Sequence, residues 1–414
     1  MTAEPTIFVL DNGIRVVHKQ IKHSRIVHTG LMINAGSRDE NARNNGIAHF
    51  IEHSVFKGTE KRKAYHILNR LESVGGELNA YTTREKTCFY ASSLRRYTRR
   101  TFELLFDIIF QSIFSEKDIE KEKNVILEEI EMYEDIPEDS IYDQFFEMLF
   151  PDQPLGYNIL GTRETVSNLN RDDIHSFMHR YYNNNEILIS VVGNITASRI
   201  ETMASKYFGH LPKKEQRNER TQAVPTTPFR KELDKEFTQA HCIIGKPVIG
   251  KMDPDRYALV LINNVLGGAG MSSRLNMSIR EKYGYTYNIS TGYAGFMDIG
   301  VFHVQFGTDE KYLNHCQELV LKEFKRLQEE KLGTRQLQKA KNQLLGHVAM
   351  MEENHAIMMQ SQAKSLLDYG RVLTLDEFFR KIDAISAEEV LRVANESLPE
   401  DKMSMLVYKN DETV

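Results

Sequence analysis

A chain of 414 residues with 41% hydrophobic and 27% charged side chains is too long for one ordinary domain and can bury a large core. The formal net charge of -5, without a basic tract or interleaved basic and aromatic residues, argues against a nucleic-acid binder. Cys88, Cys242 and Cys316 are odd in number and widely spaced, which favours a reducing, cytoplasmic compartment over a disulfide scaffold. No apolar run reaches the roughly 18 residues of a membrane span, and the opening residues lack the basic-then-apolar order of a secretion signal.

In chain order, residues 7–10 and 14–19 read as a hairpin about Asp11-Asn12-Gly13. Residues 27–35 read as a strand whose poor alternation suits burial on both faces. A polar turn over 37–45 leads into a helix opened by Asn44-Asn45-Gly46, with Ile47, Phe50, Ile51 and Val55 on its apolar face. That helix carries His49-Phe50-Ile51-Glu52-His53. Positions four apart share a helix face, so both imidazoles point the same way with Glu52 at the edge. Two neutral imidazoles and a carboxylate are what a hydrolytic zinc site needs, and the H-x-x-E-H order is a metallopeptidase signature. The competing reading is a surface helix with two half-exposed histidines.

Residues 63–73 read as a helix stopped by Gly75-Gly76. Residues 77–93, rich in Thr, Tyr and Phe, read as a long bent strand or a hairpin. At a sheet edge it could take an extended peptide; the pattern alone favours an ordinary inner strand. Residues 97–113 form an apolar-striped helix. Ser115 then caps a long acidic helix to about residue 133. Glu122 and Glu129 are seven apart and share a face of it, and either could reach a metal beside the histidine helix.

Helices over 139–149, 171–182 and 197–208 and a strand over 187–192 complete the first half. His175 and His179 are also four apart but lack a glutamate base, so they read as surface residues. A polar, proline-containing segment, 211–234, reads as an interdomain linker.

After it the order of elements restarts: strand 240–247, helix 255–266, strands 285–294 and 300–308, helix 311–329 and a further helix after Gly333-Thr334. Lys123-Asn124 matches Lys341-Asn342 at a shift of 341 − 123 = 218 residues, placing Ala340 at the position of Glu122 and His347 at that of Glu129. The chain thus reads as a duplicated α/β unit whose first copy alone carries metal chemistry. Gly267 to Gly270 follows a helix and lacks Gly-Lys-Ser/Thr, so it is not a phosphate loop.

The segments DNGIRVV, GIAHFIEHSVFKGTEKR, GGELNAYTTREKTCFYA, EKNVILEEIEMYEDIPED and GGAGMSSRLNMSIREKYGYTYNIS together resemble the pitrilysin/insulinase family of zinc peptidases, in its mitochondrial-processing-peptidase-like branch. The resemblance implies an α+β fold of two homologous domains, each a mostly antiparallel sheet packed with helices, facing each other as a clamshell. The division expected is 1–212, linker 213–234, and 235–414. The resemblance implies one Zn2+ per chain held by His49, His53 and Glu129, Glu52 as the base, and Glu122 as a supporting acid. Asn79 and Ala80 match the strand along which substrates lie. Arg280 and Tyr287, with Tyr285 as a fallback, match a pair of donors to the substrate carbonyl.

The function expected is a zinc-dependent metalloendopeptidase acting on short or unfolded peptides. The expected assembly is a homodimer, with neither nucleic acid nor membrane as partner. The alternative is a catalytically silent structural or partner subunit of a larger complex, against which the intact motif argues.

Overall fold

The computed structural model describes residues 4–214 and 218–410. Strands β1 (Thr6–Val9), β2 (Arg15–Gln20) and β3 (Ile26–Ile33) come first, then helices α1 (Ile47–Ser54) and α2 (Ala64–Glu72). A hairpin of β4 (Glu77–Thr82) and β5 (Thr87–Leu94) precedes α3 (Thr98–Phe110), α4 (Glu116–Glu134), α5 (Pro137–Leu149), α6 (Arg163–Asn168) and α7 (Arg171–Tyr181). Next come β6 (Ile187–Gly193), α8 (Ala197–Phe208), β7 (Arg230–Lys235), β8 (Ala240–Val248) and α9 (Arg256–Gly267). The chain ends with β9 (Thr286–Gly295), β10 (Gly300–Thr308), α10 (Leu313–Glu329), α11 (Thr334–Glu352), α12 (His355–Tyr369), α13 (Leu375–Ala384), α14 (Ala387–Ser397) and β11 (Ser404–Asn410). No helix among the described residues is long and apolar enough to cross a membrane.

Local chemistry sets many of these boundaries. Ser115 accepts the backbone N–H of Asp118 at 3.2 Å, opening α4. Pro137 occupies the first turn of α5, where its missing N–H costs nothing. Thr374 and Ser386 cap α13 and α14 in the same way as Ser115.

Each of two compact units is built on one sheet. The first has strand order β1-β2-β6-β3-β5-β4, antiparallel except for the β2–β6 pair. The second has order β7-β11-β8-β10-β9, antiparallel except for β7–β11. Adding five to each strand number of β2-β6-β3-β5-β4 reproduces the second order, with the parallel pair in the corresponding place. Helices α4 and α11 are both 19 residues long and start 334 − 116 = 218 residues apart, the shift seen in the sequence. The α+β class with two sheets is therefore observed, and the duplication is visible strand by strand.

The units differ from the expected division in two respects. They are not contiguous: the first comprises Met1–Ile130, Tyr157–Thr221 and Met350–Leu373, the second Glu131–Gly156, Gln222–Ala349 and Thr374–Val414. Helix α12, from late in the chain, lies on β3 and β6 of the first sheet. Gly30 leaves room there for the Met359 side chain, and Ser190 donates its hydroxyl to the Met359 carbonyl at 2.6 Å. Ala363 and Leu366 join Val17, Met32, Cys88 and Leu188 in one buried cluster. In exchange, α5 supplies Phe145, Phe146 and Leu149 to a cluster with Ile243, Val301 and Leu406 of the second unit.

The segment expected as a linker is also largely ordered. Arg220 forms a two-point pair with Asp39 (3.0 and 2.8 Å) and donates to the backbone carbonyls of Asn34 and Glu85. Residues 230–235 form β7, paired in parallel with β11. Its polar composition reflects an exposed edge strand rather than a free tether.

Candidate metal centre

Helix α1 is held at its N-terminus by a residue outside it. Gly46, at φ 92°, supplies no side-chain cap, and its Cα packs against the backbone of Leu160 and Gly161. The buried Glu40 carboxylate takes over: it accepts the N–H groups of Gly46 (2.7 Å) and Ala48 (2.9 Å) and the Asn45 amide (2.8 Å). Burial pushes the Glu40 carboxyl up to about 8, against the pull of these three donors. Ile47, Phe50 and Ile51 are fully buried, each contributing roughly 1.5–3 kcal/mol. The helix is thus fixed in rotation, and its histidine face is fixed with it.

His49 Nε2 lies 3.8 Å, and His53 Nε2 3.5 Å, from Glu129 Oε2. The imidazole rings meet edge to face with centroids 4.5 Å apart. These three residues form the one group of candidate metal donors among the described residues, with ligand atoms within 4.8 Å of one another. Bonds of about 2.0–2.1 Å in a tetrahedron place ligand atoms about 3.3 Å apart, so a small contraction would seat a zinc ion. Burial, then the charge on His53, pushes His49 down to about 3, so its ring is a neutral donor at neutral pH.

Two further side chains complete the surroundings of His53. Glu122, buried on α4, accepts from His53 Nδ1 at 2.9 Å through Oε1 and pairs with Lys57 Nζ at 2.6 Å through Oε2. Burial alone would raise Glu122, but the hydrogen bond from His53 and the Lys57 ammonium outweigh it and hold the carboxyl below its usual range. With Nδ1 donating to a carboxylate, the His53 lone pair is on Nε2, facing Glu129. Glu52 receives the Thr82 hydroxyl at 2.7 Å on Oε2. Its carboxyl is raised, chiefly by burial, which suits a proton acceptor.

The seven-residue spacing on α4 brings both acids to this side, and geometry separates them: Glu129 faces both Nε2 atoms, whereas Glu122 lies behind His53. Strand β4, carrying Asn79 and Ala80, packs against α1 and among the described residues pairs only with β5, so it is an edge strand and not the inner strand the pattern favoured. Phe89 and Tyr90 of that stretch lie on β5, its inner neighbour, and Tyr81 on β4.

Arg280 and Tyr287 belong to the second unit. Arg280 lies in a π-helical turn, Asn276–Glu281, and its guanidinium sits 5.7 Å from the Tyr287 ring centroid. Tyr287 is 88% exposed, whereas Tyr285 stacks on Tyr312 at 4.2 Å. Tyr287 is therefore the exposed phenol of the two, and Tyr285 is held in a stack. His175 and His179 are exposed and line a cavity of about 260 Å³ with Phe110, Phe114 and Tyr182. Sequence reasoning missed Glu40, Lys57 and Thr82. Only Lys57 had a local signal, being four residues after His53.

The family model described as insulinase (peptidase family M16) matches residues 15–163, and that described as peptidase M16 inactive domain matches 168–344. An uncharacterized zinc protease of Bacillus subtilis is 34% identical, covering 97% of each chain. The chain belongs to the insulinase family. The β subunit of the mitochondrial processing peptidase of Saccharomyces cerevisiae is 29% identical over 98% of this chain and 91% of its own. Among solved structures, a protease from Helicobacter pylori superposes with a TM-score of 0.92 at 21% identity, covering 98% of this chain and 99% of the other, which shows the shared fold. The insulinase-family match to the first unit carries all three candidate donors. In the second unit Ala340 and His347 stand where Glu122 and Glu129 would be.

Proposed function

We propose that this insulinase-family chain is a zinc-dependent endopeptidase for short or unfolded peptides. The observation that carries the reading is the convergence of two imidazole Nε2 atoms on Glu129 Oε2, beside a buried, raised Glu52 carboxyl. His49, His53 and Glu129 would hold the ion. Three protein donors leave a fourth position for water, as in catalytic rather than structural sites. A zinc ion there supplies an acidified water, with a pKa brought toward about 7, and polarisation of the scissile carbonyl.

The chain's own groups do the rest. Glu52 accepts the water proton as the carbonyl is attacked and delivers it to the departing amine. Glu122 keeps His53 in the tautomer that presents Nε2. The peptide pairs along the outer edge of β4, the strand that carries Asn79 and Ala80. Arg280 and Tyr287 donate to the carbonyl oxygen; this role rests on the family resemblance.

Glu52→Gln is expected to lower kcat by about 10²–10⁴ with zinc still bound. An active, zinc-loaded Glu52→Gln enzyme removes Glu52 from the mechanism. In the proposed homodimer, Arg280 and Tyr287 serve either their own chain's site or the partner's, and mixed dimers decide which. Restored activity on mixing Glu52→Gln chains with Arg280→Ala chains assigns the pair to the partner's site, and absence of rescue assigns it to their own chain.

A further inference from the structure

Strand β4 does two things at once through a single residue. Thr83 N–H donates to the Lys86 carbonyl at 2.7 Å, and Thr82 pairs with Thr87, Tyr81 with Cys88 and Ala80 with Phe89. Hydrogen-bonded and non-hydrogen-bonded pairs alternate in an antiparallel ladder. Thr83–Lys86, Tyr81–Cys88 and Asn79–Tyr90 are therefore the bonded pairs, and Ala80 and Thr82 turn their backbone N–H and C=O to the free outer edge. Side chains alternate with period two, so Leu78, Ala80 and Thr82 share one face. On that face the Thr82 hydroxyl reaches Glu52 Oε2 at 2.7 Å. Among the described residues this hydroxyl is the one hydrogen-bond partner of the Glu52 carboxylate.

We propose that Thr82 is a positioning residue that fixes the Glu52 carboxylate and, through its backbone at the free edge of β4, ties that carboxylate to the docked peptide. The proposal rests on the endopeptidase reading. Glu52 has three rotatable side-chain bonds, and a hydroxyl-to-carboxylate hydrogen bond at this distance is of the strong, charge-assisted kind. With Oε2 engaged, Oε1 is left as the proton acceptor. A peptide pairing with the outer edge would bond the backbone of the very residue whose side chain sets the base, so only a chain seated in register meets a well-aimed Glu52. Misplacement of a catalytic group by about 1 Å costs on the order of a hundredfold in rate.

Thr82→Val tests this, because it keeps the β-branched shape that suits a strand and removes only the hydroxyl. Assayed on a fluorogenic unstructured peptide, the variant should retain its zinc and melting temperature. KM should stay within about twofold, while kcat falls by about ten- to a hundredfold. Thr82→Ser, which restores the hydroxyl, should recover most of the loss. Crystal structures of the zinc-loaded proteins should show Glu52 in one rotamer in the wild type and Thr82→Ser, and in several in Thr82→Val. A Thr82→Val enzyme with wild-type kcat, or a Thr82→Ser enzyme as slow as Thr82→Val, overturns the proposal. A zinc-loaded wild type that cleaves no peptide overturns the endopeptidase reading instead. The rotamer comparison then decides the Thr82 contact alone, and one ordered Glu52 rotamer in Thr82→Val overturns it.

Discussion

Glu122 lies behind His53 rather than facing its Nε2 atom, yet its two oxygens are fully committed, one to His53 Nδ1 and one to Lys57 Nζ. Removing the carboxylate frees the His53 ring to rotate or change tautomer and leaves the Lys57 ammonium without its partner. Glu122→Ala should therefore weaken zinc binding by about 10–100-fold, measured by competition with a chromophoric chelator. A dissociation constant within twofold of the wild type would remove Glu122 from the metal site. At this scale the site was partly legible. The H-x-x-E-H spacing is helix geometry and follows from local sequence. The choice between Glu122 and Glu129 is not local, because both lie on one face of α4; the family resemblance implied Glu129 as the ligand, and the placement of α4 beside α1 gives the physical reason, with Glu129 facing both Nε2 atoms and Glu122 behind His53. Thr82 and Glu40 left no trace, since each acts on α1 from a different element.

Helix α1 is short, eight residues, and lacks a side-chain cap of its own. Isolated helices of this length are not stable in water, so its form depends on what grips its ends. The grip combines the Glu40 carboxylate with a glycine whose φ of 92° and contact with Leu160 and Gly161 leave no space for a Cβ. Gly46→Ala should cost about 1–3 kcal/mol from backbone strain alone, with the steric overlap in addition. For a unit of this size that lowers the melting temperature by roughly 2–12 °C. Gly346→Ala is the control: Gly346 lies within α11 with open space around it, so the same change should stabilise by up to about 1 kcal/mol. Thermal unfolding followed by circular dichroism compares the two, and an unperturbed Gly46→Ala would mean the α1 entry is not tightly held.

Over the whole molecule, the sequence-order boundary and the packing boundary do not coincide. Helix α12 follows the second-half helix α11 in the chain, yet buries Met358, Met359, Ala363 and Leu366 in the first unit. Those four side chains amount to about 6 kcal/mol of burial, comparable with the net stability of a domain. A fragment of residues 1–212 should therefore expose β3 and β6, bind a hydrophobic dye, and melt without a cooperative transition. Adding residues 350–373 in trans should reduce dye binding. A fragment that melts cooperatively without them would show that the first unit folds independently.

The sequence by itself determined the candidate ligand motif and most of the elements. The histidine spacing, the acidic helix, the restart after residue 234 and the 218-residue shift are all written in local periodicity or direct repetition. The tertiary structure decided how the two acids divide around the imidazoles, which hydroxyl meets Glu52, that β4 is an edge, and that α5 and α12 are exchanged between the units. These depend on contacts between residues tens to hundreds of positions apart, where burial and hydrogen-bond geometry choose among partners that local pattern leaves equivalent.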